Sequence, residues 1–97
     1  MNNIFEEIKR ERGRQDKKFG QQNNNPIEWV SILMEELGEA SKEAVQYHFK
    51  EPVTQLGITT PVTNAVQEMR ILNYRHELIQ IAAVAVQAIQ CIDRNTG

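Results

Sequence analysis

The sequence predicts an all-α fold: an antiparallel bundle of three main helices, with a possible short helix in one connection, completed by self-association. Three observations predict it. Apolar residues recur at three- and four-residue steps through long stretches, which is the helical period. Helix-start and helix-stop residues stand at the ends of those stretches. No apolar–polar alternation runs long enough to argue a strand.

The first helix is expected from about Asn3 to about Phe19. Ile4, Phe5 and Ile8 sit at helical spacing and give its start something to pack. The rest is charged, with Lys9, Arg10, Arg12, Arg14, Lys17 and Lys18 set against Glu11 and Asp16. Gly20 ends it, and Gln21 to Asn25 form a polar linker. Asn25-Pro26 then starts the second helix, with Asn as the cap and Pro at the first helical position.

The second helix is expected from Pro26 to about Lys50. Val30, Leu33, Leu37, Ala40 and Ala44 make its apolar stripe, with Met34 and Val45 beside them. Gly38 lowers helix propensity and points to close packing there. Pro52 stops the segment. Glu51 to Asn64 is rich in Pro, Thr, Gly, Val and Ile, and reads as a connection with a possible short helical turn. It is longer than most connections, which suits a mobile or functional loop. The third helix starts between Thr63 and Glu68 and runs to about Asp93. After Leu78 it is apolar on most sides, so it should be the central helix. Two partners alone would leave it under-covered, hence the expected self-association.

The chain has 97 residues, the size of a single domain over residues 1–97. Eleven basic and 13 acidic residues leave a net charge of -2, which excludes a wholly basic nucleic-acid binder. The apolar run from Leu78 to Ile92 is broken by Gln80, Gln87 and Gln90. It is also shorter than the roughly 20 residues a membrane span needs. No targeting signal is read at the N-terminus, and a cytoplasmic location without membrane association is expected. The single Cys91 lies in an apolar stretch and is expected in the core. His48 and His76 have no zinc-ligand spacing to each other or to Cys91.

The stretch most informative about chemistry is Glu35-Glu36-Leu37-Gly38-Glu39, with Glu43 a turn further on. At about 100° per residue, Glu36, Glu39 and Glu43 share a narrow arc, with Glu35 at its edge. Like charges at this spacing repel. A hard divalent cation relieves that repulsion, and Mg²⁺ prefers carboxylate oxygens, water and phosphates. A solvated acidic face is the other reading. On the third helix Arg70, Asn73, Glu77 and Gln80 share one face. A carboxylate on so apolar a helix needs a partner or a wet site. Antiparallel packing of the two helices would let the two polar patches meet.

Glu35-Glu36-Leu37-Gly38-Glu39 followed by Glu77-Leu78-Ile79-Gln80 resembles the two-helix signature of the MazG-like nucleoside triphosphate pyrophosphohydrolases, EExxE on one helix and ExxD on the next. The leader Glu11-Arg12-Gly13-Arg14-Gln15-Asp16-Lys17-Lys18-Phe19-Gly20 and Trp29 add to the resemblance, which covers nearly the whole chain. The resemblance implies an all-α, Mg²⁺-dependent homodimer or homotetramer, with Mn²⁺ as a possible substitute. It implies hydrolysis of a nucleoside triphosphate to the monophosphate and pyrophosphate. It places Glu36, Glu39, Glu77 and Gln80 on the metal, and Glu35 beside the attacking water. Gln80 departs from the pattern by standing where the family has Asp. An amide oxygen can ligate, but it brings no charge and cannot act as a base. The alternative is therefore a non-catalytic nucleotide- or partner-binding oligomer of the same fold.

Arg12, Arg14 and Lys18 are candidates for contacting substrate phosphates, a solvated helix face being the other reading, and Trp29 is a candidate for stacking on a base or for anchoring the core or an interface. Glu43 and Asn73 complete the candidate substrate-binding set. Nucleic-acid binding is not expected, because the basic segment is interleaved only with Phe19.

Overall fold

The computed structural model describes residues 3–96. It contains α1 (Ile4–Phe19), α2 (Pro26–His48), β1 (Val53–Gln55), β2 (Ile58–Thr60) and α3 (Asn64–Thr96). The expected all-α bundle is observed, with one small addition. The connection after α2, read from the sequence as a possible short helical turn, is instead a two-stranded antiparallel hairpin, pairing Val53 with Thr60 and Gln55 with Ile58. Its strands have three residues each, too short for the alternation that would announce them. Leu56 and Gly57 turn the chain with φ of 52° and 77°, the left-handed pair that two-residue hairpin loops use.

The helix starts follow from side-chain chemistry. Asn3 Oδ1 accepts from the Phe5 backbone N–H at 2.9 Å. Asn25 Oδ1 accepts from the Glu28 N–H at 2.8 Å, and the Glu28 carboxylate accepts from the Asn25 N–H at 2.9 Å. That reciprocal pair satisfies two donors that the helix itself leaves free. Thr63 Oγ1 accepts from the Val66 N–H at the start of α3. Gly20, at φ 71°, ends α1.

The helix α3 is the spine. It packs antiparallel against α2 along most of its length, and α1 packs on α3 alone. Among the described residues the backbone of α1 does not approach α2, and the hairpin packs on no helix. A groove therefore opens between α1 and α2, floored by α3. The core is thin: Trp29, Ala40, Ala83, Val84 and Cys91 are its buried apolar residues. Cys91 lies in that core, as expected from its apolar neighbours. The apolar stripe expected to pack α2 divides. Ala40 is buried and Leu33 and Ala44 are half-buried, but Val30, Met34, Leu37 and Val45 are exposed. The docking of α1 is polar. Its buried residues are Glu11 and Gln15, Glu7 pairs with Arg75 of α3, and Arg12 with Gln90.

The linker between α1 and α2 is tied down by the end of α3. Arg94 donates to the Gln22 carbonyl at 3.0 Å and to Asn23 Oδ1 at 3.2 Å. No helix of the described residues is long and apolar enough to cross a membrane.

Candidate functional site

Two helices bring the acidic patches together, as their arithmetic requires. On α3, residues 70, 77, 84 and 91 recur every seven positions and stay on the face that meets α2. Glu77 belongs to that line, and Gln80 lies one turn on. On α2 the facing position is Glu36. With its amide nitrogen turned to the carboxylates, Gln80 donates to Glu77 Oε2 at 2.9 Å and to Glu36 Oε2 at 3.2 Å. The opposite orientation would set the amide oxygen against two carboxylate oxygens. All three side chains are half-buried.

Burial pushes the Glu77 carboxyl above its ordinary pKa. A hydrogen bond with Glu36 and the negative charges of Glu36 and Glu39 push in the same direction, and His76 opposes them. The site thus holds more negative charge than it can comfortably keep, and it favours either a shared proton or a cation. Among the described residues, no three His, Cys, Asp or Glu side chains converge closely enough to hold a metal ion. The converging set is two carboxylates and one amide. That suits a cation which takes one or two carboxylates and completes its shell with water and phosphate oxygens.

The acidic pair opens onto the groove between α1 and α2, a cleft of about 390 Å³. Glu35, Glu36 and Gln80 line one end. Trp29, Val84 and Gln87 line the floor further along, and Arg14, Gln15, Lys18 and Phe19 of α1 form the far wall. One groove therefore joins carboxylates, cations and an aromatic ring.

Of the residues singled out in the sequence, Glu35, Glu36, Gln80, Arg14, Lys18 and Trp29 line this cleft. Glu77 meets it through Gln80. Glu39 is exposed, but its charge still reaches Glu77. Glu43 is half-buried a turn beyond, outside the cleft lining, and Asn73 is exposed outside it. Arg12 points elsewhere: its guanidinium binds Asp16 at 3.0 Å and Gln90 at 2.8 Å and lines a separate groove. Its neighbour Arg14 faces the cleft instead. Arg14 binds Glu11 at 2.6 Å, and this pairing holds the Glu11 carboxyl below its usual range.

Gln15, Gln22 and Gln87 also line the cleft and were not singled out. The signal for Gln87 was present, because it stands seven residues after Gln80 on the buried face of α3. Gln15 carried none, since its burial depends on how α1 lies across α3.

The chain matches no family model, no curated protein and no solved structure.

Proposed function

We propose that this protein is a Mg²⁺-dependent nucleoside triphosphate pyrophosphohydrolase that works as a homodimer or homotetramer in the cytoplasm. One observation carries the reading: Glu77 of α3 is held against Glu36 of α2, with Gln80 between them, at the mouth of a cleft with a cationic wall. The resemblance of Glu35–Glu39 and Glu77–Gln80 to the MazG-like signature supports it.

In this reading Glu36 and Glu77 hold Mg²⁺, with the Gln80 amide turned to offer its oxygen and Glu39 adding charge from one turn away. Bound there, the cation neutralises triphosphate charge and lowers the pKa of a water. Arg14 and Lys18 face phosphate oxygens from α1. Glu35, exposed on the cleft wall, accepts the proton of the attacking water. The bond between the α and β phosphoryl groups breaks, and pyrophosphate leaves. No nucleophilic side chain is required.

Self-association accounts for the open apolar stripe. Ile27, Val30, Met34 and Leu37 lie along one side of α2 and are all more than half exposed. Trp29 and Glu36 lie on the opposite side, so a second copy covers the stripe and leaves the cleft open.

Pyrophosphate release from a panel of nucleoside triphosphates, with Mg²⁺ or chelator, tests the proposal. The wild type should release pyrophosphate only with metal, and Glu36→Gln and Glu39→Ala should lose at least 100-fold and 10-fold, respectively, on the scale of roughly one to three decades per catalytic contact. A folded wild type that releases none from any triphosphate overturns it. The second reading is a non-catalytic nucleotide- or partner-binding oligomer. The amide at Gln80, where the family pattern has a carboxylate, favours it. Nucleotide binding without turnover would select it.

A further inference from the structure

We propose that α1 is a hinged lid on the cleft, which swings about Gly20 and leaves α3 while α2 and α3 stay packed. The motion governs access to the cleft and requires no ligand, so it stands apart from the nucleotide reading.

The attachment of α1 is weak. Its docked line is Glu7, Ile8, Glu11, Arg12 and Gln15, the residues of the helix that are not exposed. Ile8 is the one apolar member, and Ile4, Phe5 and Phe19 are more than half exposed. Helices in proteins are held chiefly by a buried apolar face, and here one side chain supplies it. Among the described residues, two side-chain pairs join α1 to α3. Arg75 donates to Glu7 at 2.8 Å, and Arg12 donates to Gln90 at 2.8 Å. The first pair is partly solvated, with its arginine about half exposed, and water and salt weaken such pairs.

Against these contacts stands the burial of Glu11 and Gln15. Glu11 has its arginine, Arg14, within α1 and keeps it when the helix leaves. Gln15 Oε1 has no hydrogen-bond partner while α1 is docked, and water satisfies it once α1 lifts. Docking therefore gains little and strands one acceptor.

The pivot is marked in the chain. Gly20 has φ of 71° and open space around it. The chain is fixed again two residues on, where Arg94 donates to the Gln22 carbonyl at 3.0 Å and Gln87 to the Gln22 side chain at 3.4 Å. Bending is thus confined to Gly20 and Gln21. The apolar core of Trp29, Val84 and Cys91 lies between α2 and α3, and α1 does not enter it. Lifting α1 takes away the wall of Arg14, Lys18 and Phe19 and leaves the cleft as an open face of the other two helices.

Beneath α1, the helix α3 presents His76, Ala83 and Gln90, spaced by seven. His76 lines a groove with Glu11, Gln90 holds Arg12, and Ala83 between them has 0% exposure. A thiol at that point reports the lid.

Thiol labelling of the full-length protein with an aromatic disulfide reagent tests the proposal. Cys91 is buried between α2 and α3 and times their unfolding. Ala83→Cys adds a thiol beneath α1, and Gln15→Cys, made separately, adds one on the docked face of α1 itself. Circular dichroism checks the fold of both variants. The introduced thiol should react at least about tenfold faster than Cys91, because local opening takes less free energy than unfolding. Adding Glu7→Gln to either variant should speed that reaction by up to about fivefold and leave Cys91 unchanged. Raising NaCl from about 50 mM to about 500 mM should act in the same direction. Equal rates for the introduced thiol and Cys91 in both variants overturn the proposal, because α1 then leaves only when the whole chain unfolds. Fast labelling that neither Glu7→Gln nor salt alters overturns it as well, because the polar pair then does not hold the lid. No substrate is present, so a protein that releases no pyrophosphate can still show the lid, and an active one can lack it.

Discussion

A carboxylate half-buried beside a second carboxylate is ill at ease when charged, and Glu77 stands in that position beside Glu36, with Gln80 bridging the two. Its pKa is raised in the folded chain, so the folded state binds the proton more tightly than the unfolded state. The stabilisation this gives is complete below the ordinary value of 4.5 and is lost as pH rises through the raised value. Glu77→Gln is neutral at every pH. In chelator at neutral pH the variant should melt a few degrees higher than the wild type, and the gap should close near pH 4. Mg²⁺ should raise the wild-type melting temperature and leave that of the variant unmoved, which scanning fluorimetry reads directly. Glu11 has the opposite sign. Its pairing with Arg14 lowers its pKa, so its stabilisation is present above 4.5 and is lost as pH falls through the depressed value. Arg14 is half exposed and water screens the pair, so Glu11→Gln should cost up to about 1 kcal/mol at neutral pH and nothing in strong acid, as denaturant titrations at the two pH values would show.

The hairpin and its anchor make the clearest case among the elements. Arg70 is buried and donates to the Gln46 carbonyl at 3.1 Å and the Glu51 carbonyl at 2.8 Å, so it fixes both ends of the turn out of α2. Gln67 adds a bond to the Tyr47 carbonyl at 2.9 Å. Arg70→Met leaves those carbonyls unpaired and should cost roughly 2–3 kcal/mol, with faster amide exchange from Lys50 to Thr60. At the tip, Leu56 holds a left-handed backbone that Asn adopts more readily. Leu56→Asn should therefore stabilise the protein by up to about 1 kcal/mol, measured by the shift of the denaturation midpoint. This residue also shows why the hairpin was not legible in the sequence. A leucine in the turn hides the Asn-Gly signal, and three-residue strands carry no period. The helices were legible because Asn3, Gly20 and Asn25-Pro26 mark their ends. The meeting of Glu36 with Glu77 and Gln80 followed from helix arithmetic and one assumption, antiparallel packing. The separate destinations of Arg12 and Arg14 did not, because they depend on the roll of α1 against α3, which no local pattern encodes.

The molecule as a whole is too extended to be a complete globule. Its radius of gyration is 16.6 Å, against roughly 12.5 Å for a compact chain of this length. The 33 residues of α3 set the long axis. Among the described residues Trp29 is the only large apolar side chain in the buried core, while Ile27, Met34, Leu37, Ile89 and Ile92 stand more than half exposed. A second copy, as proposed above, would cover such surface. Light scattering should give two or four times the chain mass of 11.2 kDa. Met34→Lys combined with Leu37→Lys should yield a monomer of clearly lower stability.

Among the described residues the backbone of the hairpin approaches no helix, and this has a practical side. Exposed tips that bear on nothing else accept added chain. A fluorophore, an affinity peptide or a surface tether inserted between Leu56 and Gly57 would have its attachment point held steady by Arg70 and would leave the packing of all three helices alone. Single molecules could then be immobilised or tracked through that handle while the three-helix packing is left undisturbed.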